Sequence, residues 1–256
     1  MKLAVSGKGG VGKTTVAALL ASELAARGFR VTAIDADPNP TLAVLLGFPT
    51  PPPTSLLDLR AEIEERVGIS GGLIRLNPRV DDLVERVAAT CGGIQLIVAG
   101  AISRGGAGCA CPQNVLLRRL LDHVVLERDE AVVVDLEAGL EHLGRRSAEA
   151  ADALLAVVDA SRASLETAAR IRRLAGEIGV PRTFVVANKV RGPEEESWIA
   201  SGLQDSELIA AIPYSEALAR AERAGERASG ADPAVQAAAA RLVDALQTRC
   251  ERRVSV

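Results

Sequence analysis

Aromatic side chains are almost missing from this sequence: one Trp, one Tyr and three Phe stand among 256 residues. Ala, Val, Leu and Ile must therefore build the core. An excess of either charge is also lacking. Thirty Lys and Arg face 33 Asp and Glu, a formal net charge of −3. That balance gives no electrostatic footprint for nucleic acid and no basic patch for a membrane surface. No apolar run reaches the roughly 18 residues that span a bilayer. Cysteine is scarce: Cys91, Cys109, Cys111 and Cys250 are too few for a disulfide scaffold. In a reducing cytosol the close pair Cys109 and Cys111 points instead to metal or redox chemistry. Met1–Ser6 runs directly into a glycine-rich loop that loss of a leader would destroy, so a cytoplasmic location is expected.

What is present is alternation. Apolar runs of strand length lie at 2–6, 29–35, 94–101, 131–136, 153–159, 182–188 and 207–212. Helical periodicity separates them at 13–27, 80–90, 113–127, 141–151, 163–178, 215–228 and 233–250. Strands apolar on both faces, separated by helices, predict an α/β fold: a mostly parallel sheet of about seven strands with helices on both faces. The length suits a single domain over 1–256. Pro49 and Pro51–Pro53, Gly71–Gly72 and the polar stretch 191–197 read as surface loops. Loops after parallel strands share the carboxyl edge, where ligands bind; here they are 7–13, 36–41, 101–112, 136–141 and 188–193.

The first of these loops carries the strongest signal. Gly7-Lys8-Gly9-Gly10-Val11-Gly12-Lys13-Thr14-Thr15 follows a strand and opens a helix. In such a loop successive backbone N–H groups (Gly9 to Thr15) surround phosphate oxygens, and the helix N-terminus adds positive potential. Lys13 can reach the β- and γ-phosphates and the Thr14 hydroxyl can ligate Mg²⁺. Asp135 ends the apolar run 131–134, the pattern that delivers one carboxylate toward Mg²⁺, usually through water. Asp159 ends another such run and reads as a strand-end cap. Asn188-Lys189-Val190-Arg191 resembles the guanine-reading motif Asn-Lys-x-Asp with Arg191 in the acidic place. Guanine donors left unpaired there cost about 1–3 kcal/mol, whereas Asn188 can still pair with adenine. ATP and ADP are the expected ligands.

The second lysine of the loop, Lys8, makes it resemble the deviant P-loop of the MinD, ParA and nitrogenase iron-protein superfamily. That resemblance implies a MinD-like P-loop fold and a homodimer in which two protomers sandwich two ATPs. Lys8 would then cross to the partner's nucleotide, a cation supplied in trans. It also implies that Asp35-Ala36-Asp37-Pro38-Asn39 is a switch loop, with Asp37 acting on the attacking water and Asp35 helping the Mg²⁺ shell. On this reading Lys8, Lys13, Asp37 and Asp135 are the catalytic set.

The third loop reads Arg104-Gly105-Gly106-Ala107-Gly108-Cys109-Ala110-Cys111-Pro112-Gln113-Asn114. Pro112 suits the first position of a helix, which puts Cys111 at the N-cap, where positive potential favours the metal-binding thiolate. Two thiolates cannot fill a four-ligand zinc shell, but a symmetric dimer could join two pairs on its axis. Taken together, GKGGVGKTT (7–15), DADPN (35–39), RLNPRV (75–80), GGAGCACPQN (105–114), DLEAGLEHLGR (135–145) and VANKV (186–190) resemble the CooC family. These are ATPases that support nickel insertion into carbon monoxide dehydrogenase. The resemblance implies Ni²⁺ or Zn²⁺ at Cys109 and Cys111 and a client nickel enzyme, while the charge balance leaves no nucleic-acid or membrane partner expected. His142 falls within the second switch, as a switch-orienting residue rather than a ligand.

Two other readings stay open. One is a MinD- or ParA-like spatial switch, although Asp232–Arg249 has no Trp or Phe to insert in a membrane. The other is an iron–sulfur iron protein, although the stretch after Asp135 lacks the expected second cysteine.

Overall fold

The computed structural model describes residues 1–37, 39–49, 51, 53–59, 86–99, 130–137, 139–140, 151–203 and 205–250. The strands among them are β1 (Lys2–Gly7), β2 (Arg30–Ala36), β3 (Ala89–Cys91), β4 (Ile94–Val98), β5 (Glu130–Leu136), β6 (Ala153–Val158), β7 (Thr183–Val190) and β8 (Glu207–Pro213). They form one eight-stranded sheet in the order β3-β4-β2-β5-β1-β6-β7-β8. All neighbours run parallel except β3 and β4. The described helices are α1 (Lys13–Ala26), α2 (Leu42–Leu45), α3 (Arg162–Glu177), α4 (Pro193–Gly202), α5 (Glu216–Ala224) and α6 (Pro233–Cys250), with a 3₁₀ turn at Leu56–Leu59.

Pleating sends alternate side chains of each strand to opposite faces, and here both faces are covered. Leu3, Val5, Ala33, Val133, Leu155 and Val157 join one core with α1, α2 and α6. Ala4, Ile34, Val134, Leu154 and Ala156 join the other with α3 and α4. This is why the strands read as unbroken apolar runs. The central helix α1 is itself buried on almost every side, from Thr15 to Leu24, with β1 below it and α6 across it. Its charged end is tied down as well. Arg27 donates to Glu23 (2.8 Å), to Asp244 of α6 (2.6 Å) and to the Ala240 carbonyl (2.9 Å).

Three expectations need correction. The helix read over 80–90 does not reach its expected end: Ala89–Cys91 is strand β3. Gly92 and Gly93 hold positive φ of 57° and 79° and turn the chain back into β4, a hairpin geometry that favours glycine at both places. Cys91 therefore ends a strand, not a helix. The polar stretch 191–197 contains the start of α4, because Pro193 sits in its first turn with Glu194, Glu195 and Glu196. Those are helix-start signals that weigh more than polarity, since the helix buries only Ile199. The short α2 was missed because four residues carry too little periodicity. The helix expected at 113–127, and all but the last residue of the one expected at 141–151, lie outside the described residues; Ala151 itself is not helical.

Candidate nucleotide site

β1 and its neighbour β6 send their following helices to opposite faces of the sheet, α1 to one and α3 to the other. Loops diverging at such a point open a crevice at the carboxyl edge. The glycine-rich loop fills it. Gly12 caps α1 with φ 89°, and a side chain there would run into the Asn188 amide. The loop closes with Val11 N donating to the Lys8 carbonyl (3.4 Å), and Val16 N donates to the Gly12 carbonyl (3.0 Å). Lys13 is buried, Thr14 is half-buried and Lys8 is exposed.

Two residues of β7's end hold this loop from the side. Asn188 donates its amide to the Val11 carbonyl (2.9 Å, buried), and Lys189 Nζ donates to the Gly10 carbonyl (2.8 Å). Lys189 does so from φ 60°, a left-handed conformation that costs a non-glycine residue about 1 kcal/mol or more. Its charged hydrogen bond offsets that cost. The amide that sequence reading gave to adenine is thus donated to the loop. Beyond it, the Arg191 guanidinium lies 4.3 Å above the Tyr214 ring.

A cleft of about 530 Å³ runs from the loop across Thr15 and Asp37 to Lys189, Glu222 and the apolar lip of α2. Sequence reasoning missed Glu222, whose carboxylate accepts from the Thr15 hydroxyl at 2.6 Å. It stands 207 positions away in the chain, and nothing local marks it. Lys189 was legible only as part of a motif.

The acidic residues differ in how they are satisfied. Asp35 and Asp135 are register partners on β2 and β5, and both are fully buried. Asp35 accepts from the N–H groups of Asp37 (3.2 Å) and Leu42 (2.9 Å). Burial pushes its pKa up to about 6, against the pull of those N–H groups. Its carboxylate thus ties the chain at Asp37 and at Leu42. Asp37 in turn accepts from the Asn39 N–H at 2.8 Å. Both oxygens of Asp135 are buried without a hydrogen-bond partner. Burial pushes this pKa up to about 7, opposed by the nearby Thr14 hydroxyl and raised further by the Asp35 charge. Thr14 faces the carboxylate closely enough to favour its ionised form without the geometry of a full bond. An orphaned carboxylate of this kind, next to a hydroxyl and the buried Lys13, fits a divalent cation. Among the described residues no cluster of three or more His, Cys, Asp or Glu side chains could hold a metal ion. Mg²⁺ would suit such a sparse donor set, because it keeps several waters and takes phosphate oxygens.

Asp159 also differs from its neighbours. It accepts from Ser161 Oγ at 2.5 Å. Burial alone would raise its pKa, but the Ser161 and Ser164 hydroxyls and the Lys8 charge bring it below the usual value.

Residues 2–228 match the family model of the CobQ/CobB/MinD/ParA nucleotide binding domain. The chain belongs to this family of ATPases. A relative within reach is an ATP-binding protein of Methanocaldococcus jannaschii, 42% identical over 234 residues, which are 88% of this chain and 90% of the relative. The carbon monoxide dehydrogenase accessory protein CooC of Rhodospirillum rubrum is 40% identical over 255 residues, 97% of each chain. Among solved structures, MinD of Pyrococcus horikoshii complexed with Mg-ADP has a TM-score of 0.70 at 18% identity, covering 100% of this chain and 98% of that one. MinD of Aquifex aeolicus, in complex with MinC, has a TM-score of 0.69 at 23% identity, covering 96% and 95%. These two likenesses establish the fold, which is the MinD-like sheet expected from the sequence.

Within this MinD/ParA-family ATPase, β1, β2, β5 and β7 bring the P-loop, Asp35, Asp37, Asp135 and Asn188 to one edge, although they are spread over 182 positions of sequence. Cys109, Cys111 and His142 lie outside the described residues. Cys91 and Cys250 are free thiols. Cys91 lies within 3.6 Å of the Gly47 carbonyl, and Cys250 ends α6. Among the described residues no helix is long and apolar enough to cross a membrane.

Proposed function

We propose that this ATPase is a maturation factor that supports nickel insertion into carbon monoxide dehydrogenase or a related nickel enzyme. The observation that carries this reading is the match to the CooC accessory protein, 40% identical along 97% of both chains. Cys109-Ala110-Cys111 supplies two thiolate donors that suit a Ni²⁺ or Zn²⁺ cargo.

In this reading Gly9 to Thr15 bind the phosphates and Lys13 neutralises them. Mg²⁺ would be held by Thr14 and, through water, by Asp135, and would draw charge off the phosphate oxygens. Asp35 fixes the loop on which Asp37 meets the attacking water. Lys8 reaches the nucleotide of a second protomer, so the working unit is a dimer closed around two ATPs. Cys109 and Cys111 from both protomers then meet on the two-fold axis, and metal affinity and nucleotide state each alter the other by the same factor. A cytoplasmic location belongs to the same reading.

The test is metal titration of anaerobically purified protein, with and without an ATP analogue. One Ni²⁺ or Zn²⁺ per dimer, lost in the Cys109→Ser, Cys111→Ser double variant, is expected. Undiminished binding in that variant would rule out the site. One ion per protomer in the wild type would rule out its sharing.

The fold likeness to MinD also suits a spatial-organising switch. Co-sedimentation with liposomes in the presence of ATP separates the two readings, and the maturation factor is expected to stay in the supernatant.

A further inference from the structure

Lys189 is the one non-glycine residue at positive φ, 60°, among the described residues. It sits where the pairing of β7 with β8 slips. Ala187 pairs with Ala211 and Val190 with Pro213, so Asn188 and Lys189 together stand opposite a single residue of β8, Ile212. An extra residue of this kind is a β-bulge, which bends the strand and re-aims its side chains. In a regular strand consecutive side chains leave on opposite faces. Here two consecutive side chains reach one loop, Asn188 at the Val11 carbonyl and Lys189 at the Gly10 carbonyl. Those carbonyls belong to consecutive peptide units. A trans peptide holds its C=O and the following N–H on opposite sides. Asn188 therefore directs the Gly12 N–H away from β7. The Gly10–Val11 unit is held at both ends, its oxygen by Lys189 at 2.8 Å and its N–H by the Lys8 carbonyl at 3.4 Å.

We propose that Lys189 is a positioning residue for phosphate binding: the bulge in β7 turns its ammonium onto the Gly10 carbonyl and fixes the peptide units that lead into the phosphate cradle. Gly10 and Gly12 both hold positive φ, and glycine by itself leaves such units many orientations. A carbonyl turned into the cleft would repel a polyphosphate. A charged donor on the Gly10 oxygen excludes that orientation, which is preorganisation of the loop. For stability alone a left-handed lysine is a poor choice, because glycine takes the same backbone without strain. What offsets the strain is the bond that the ammonium makes. Lys189 stands in a stretch that resembles a base-reading motif, but its ammonium holds the loop. Its effect therefore falls on the phosphates and not on the choice of base. This inference rests on the reading of the cleft as the ATP site.

The test compares the full chain with its Lys189→Gly, Lys189→Ala and Lys189→Arg variants. Calorimetry reads the affinity for Mg-ATP and for tripolyphosphate, which has no base. Lys189→Gly and Lys189→Ala should lose roughly tenfold affinity for both ligands, the worth of one charged hydrogen bond. Lys189→Arg keeps a charged donor and should stay within about threefold of wild type. In steady-state assays the Gly and Ala variants should raise KM for ATP by the same factor, with kcat falling less than about threefold. Without ligand, Lys189→Gly should melt roughly 2 °C or more above Lys189→Ala, since only glycine is unstrained at this φ. Undiminished affinity in both variants, whatever their melting temperatures, would overturn the proposal. So would a loss confined to ATP, which would place Lys189 on the base. Lys189→Ala melting as high as Lys189→Gly would overturn the strained bulge on which the proposal stands. Wild-type binding of both ligands by Lys13→Ala would instead overturn the reading of the cleft itself.

Discussion

At Asp135 burial and charge conflict most openly. Its two oxygens are shut off from solvent with no protein partner, and its pKa rises to about 7 from the ordinary 3.8. A carboxyl that binds its proton more tightly in the folded chain favours folding below its unfolded pKa. That contribution is lost as pH rises through the folded value. In EDTA and without nucleotide, wild-type stability should therefore decline between about pH 4 and pH 7 at this site. Asp135→Asn removes the buried charge, so its melting temperature should exceed wild type by roughly 5 °C at pH 8 and converge on it near pH 4. Thermal melts across that range would check this; a destabilised variant at pH 8 would mean the charge has a partner after all. Asp37, by contrast, is half-buried and accepts a hydrogen bond from the Asn39 N–H. With Asp37→Ala, ATP affinity should stay within about threefold while hydrolysis slows by roughly a hundredfold or more, the worth of a positioned base or water-orienting group. Calorimetry and phosphate release measure the two separately.

Among the elements, α1 carries the site and depends on α6 to hold it. Arg27, just past the end of α1, binds Glu23 on its own helix and Asp244, Gln247 and the Ala240 carbonyl on α6. Glu23 also accepts from Gln236. Arg27→Ala should cost about 1–2 kcal/mol, discounted for partial exposure, because several charged hydrogen bonds are lost together. A fall in melting temperature with unchanged ATP affinity would show that α6 is a brace and not part of the cleft. The elements also show what was readable. The strands β1, β2 and β4 through β7 were legible because burial on both faces makes them almost continuously apolar, and the edge strand β8, mostly half-buried, because Leu208 to Ile212 are apolar as well. α4 was not, because a helix that buries one residue leaves a polar sequence, and β3 was not, because three residues carry no period. Asp35 was legible as an acid at a strand end. Its bonds to Asp37 and Leu42 were not, since they depend on how the chain folds back after the strand.

For the whole molecule, the question is whether one copy completes the site. Lys8 is exposed, with the Asp159 carboxylate within reach of its field, and in the proposed dimer it serves the partner's nucleotide. Lys8→Ala should bind ATP with near-wild-type affinity yet remain a monomer with a non-hydrolysable analogue, where wild type doubles its mass in light scattering. A dimeric variant would remove the trans role. The amino-acid sequence by itself determined the sheet class, the P-loop and the identity of the acids near it. Periodicity and residue spacing are local properties, and a glycine-rich loop between strand and helix needs no distant partner to be recognised. Only the tertiary structure decided which carboxylate is satisfied and which is left orphaned. It also decided that Asn188 and Lys189 clamp the loop and that Glu222 meets Thr15. Those outcomes depend on strand order and register, which bring residues from opposite ends of the chain within hydrogen-bond distance, and no local pattern encodes that encounter.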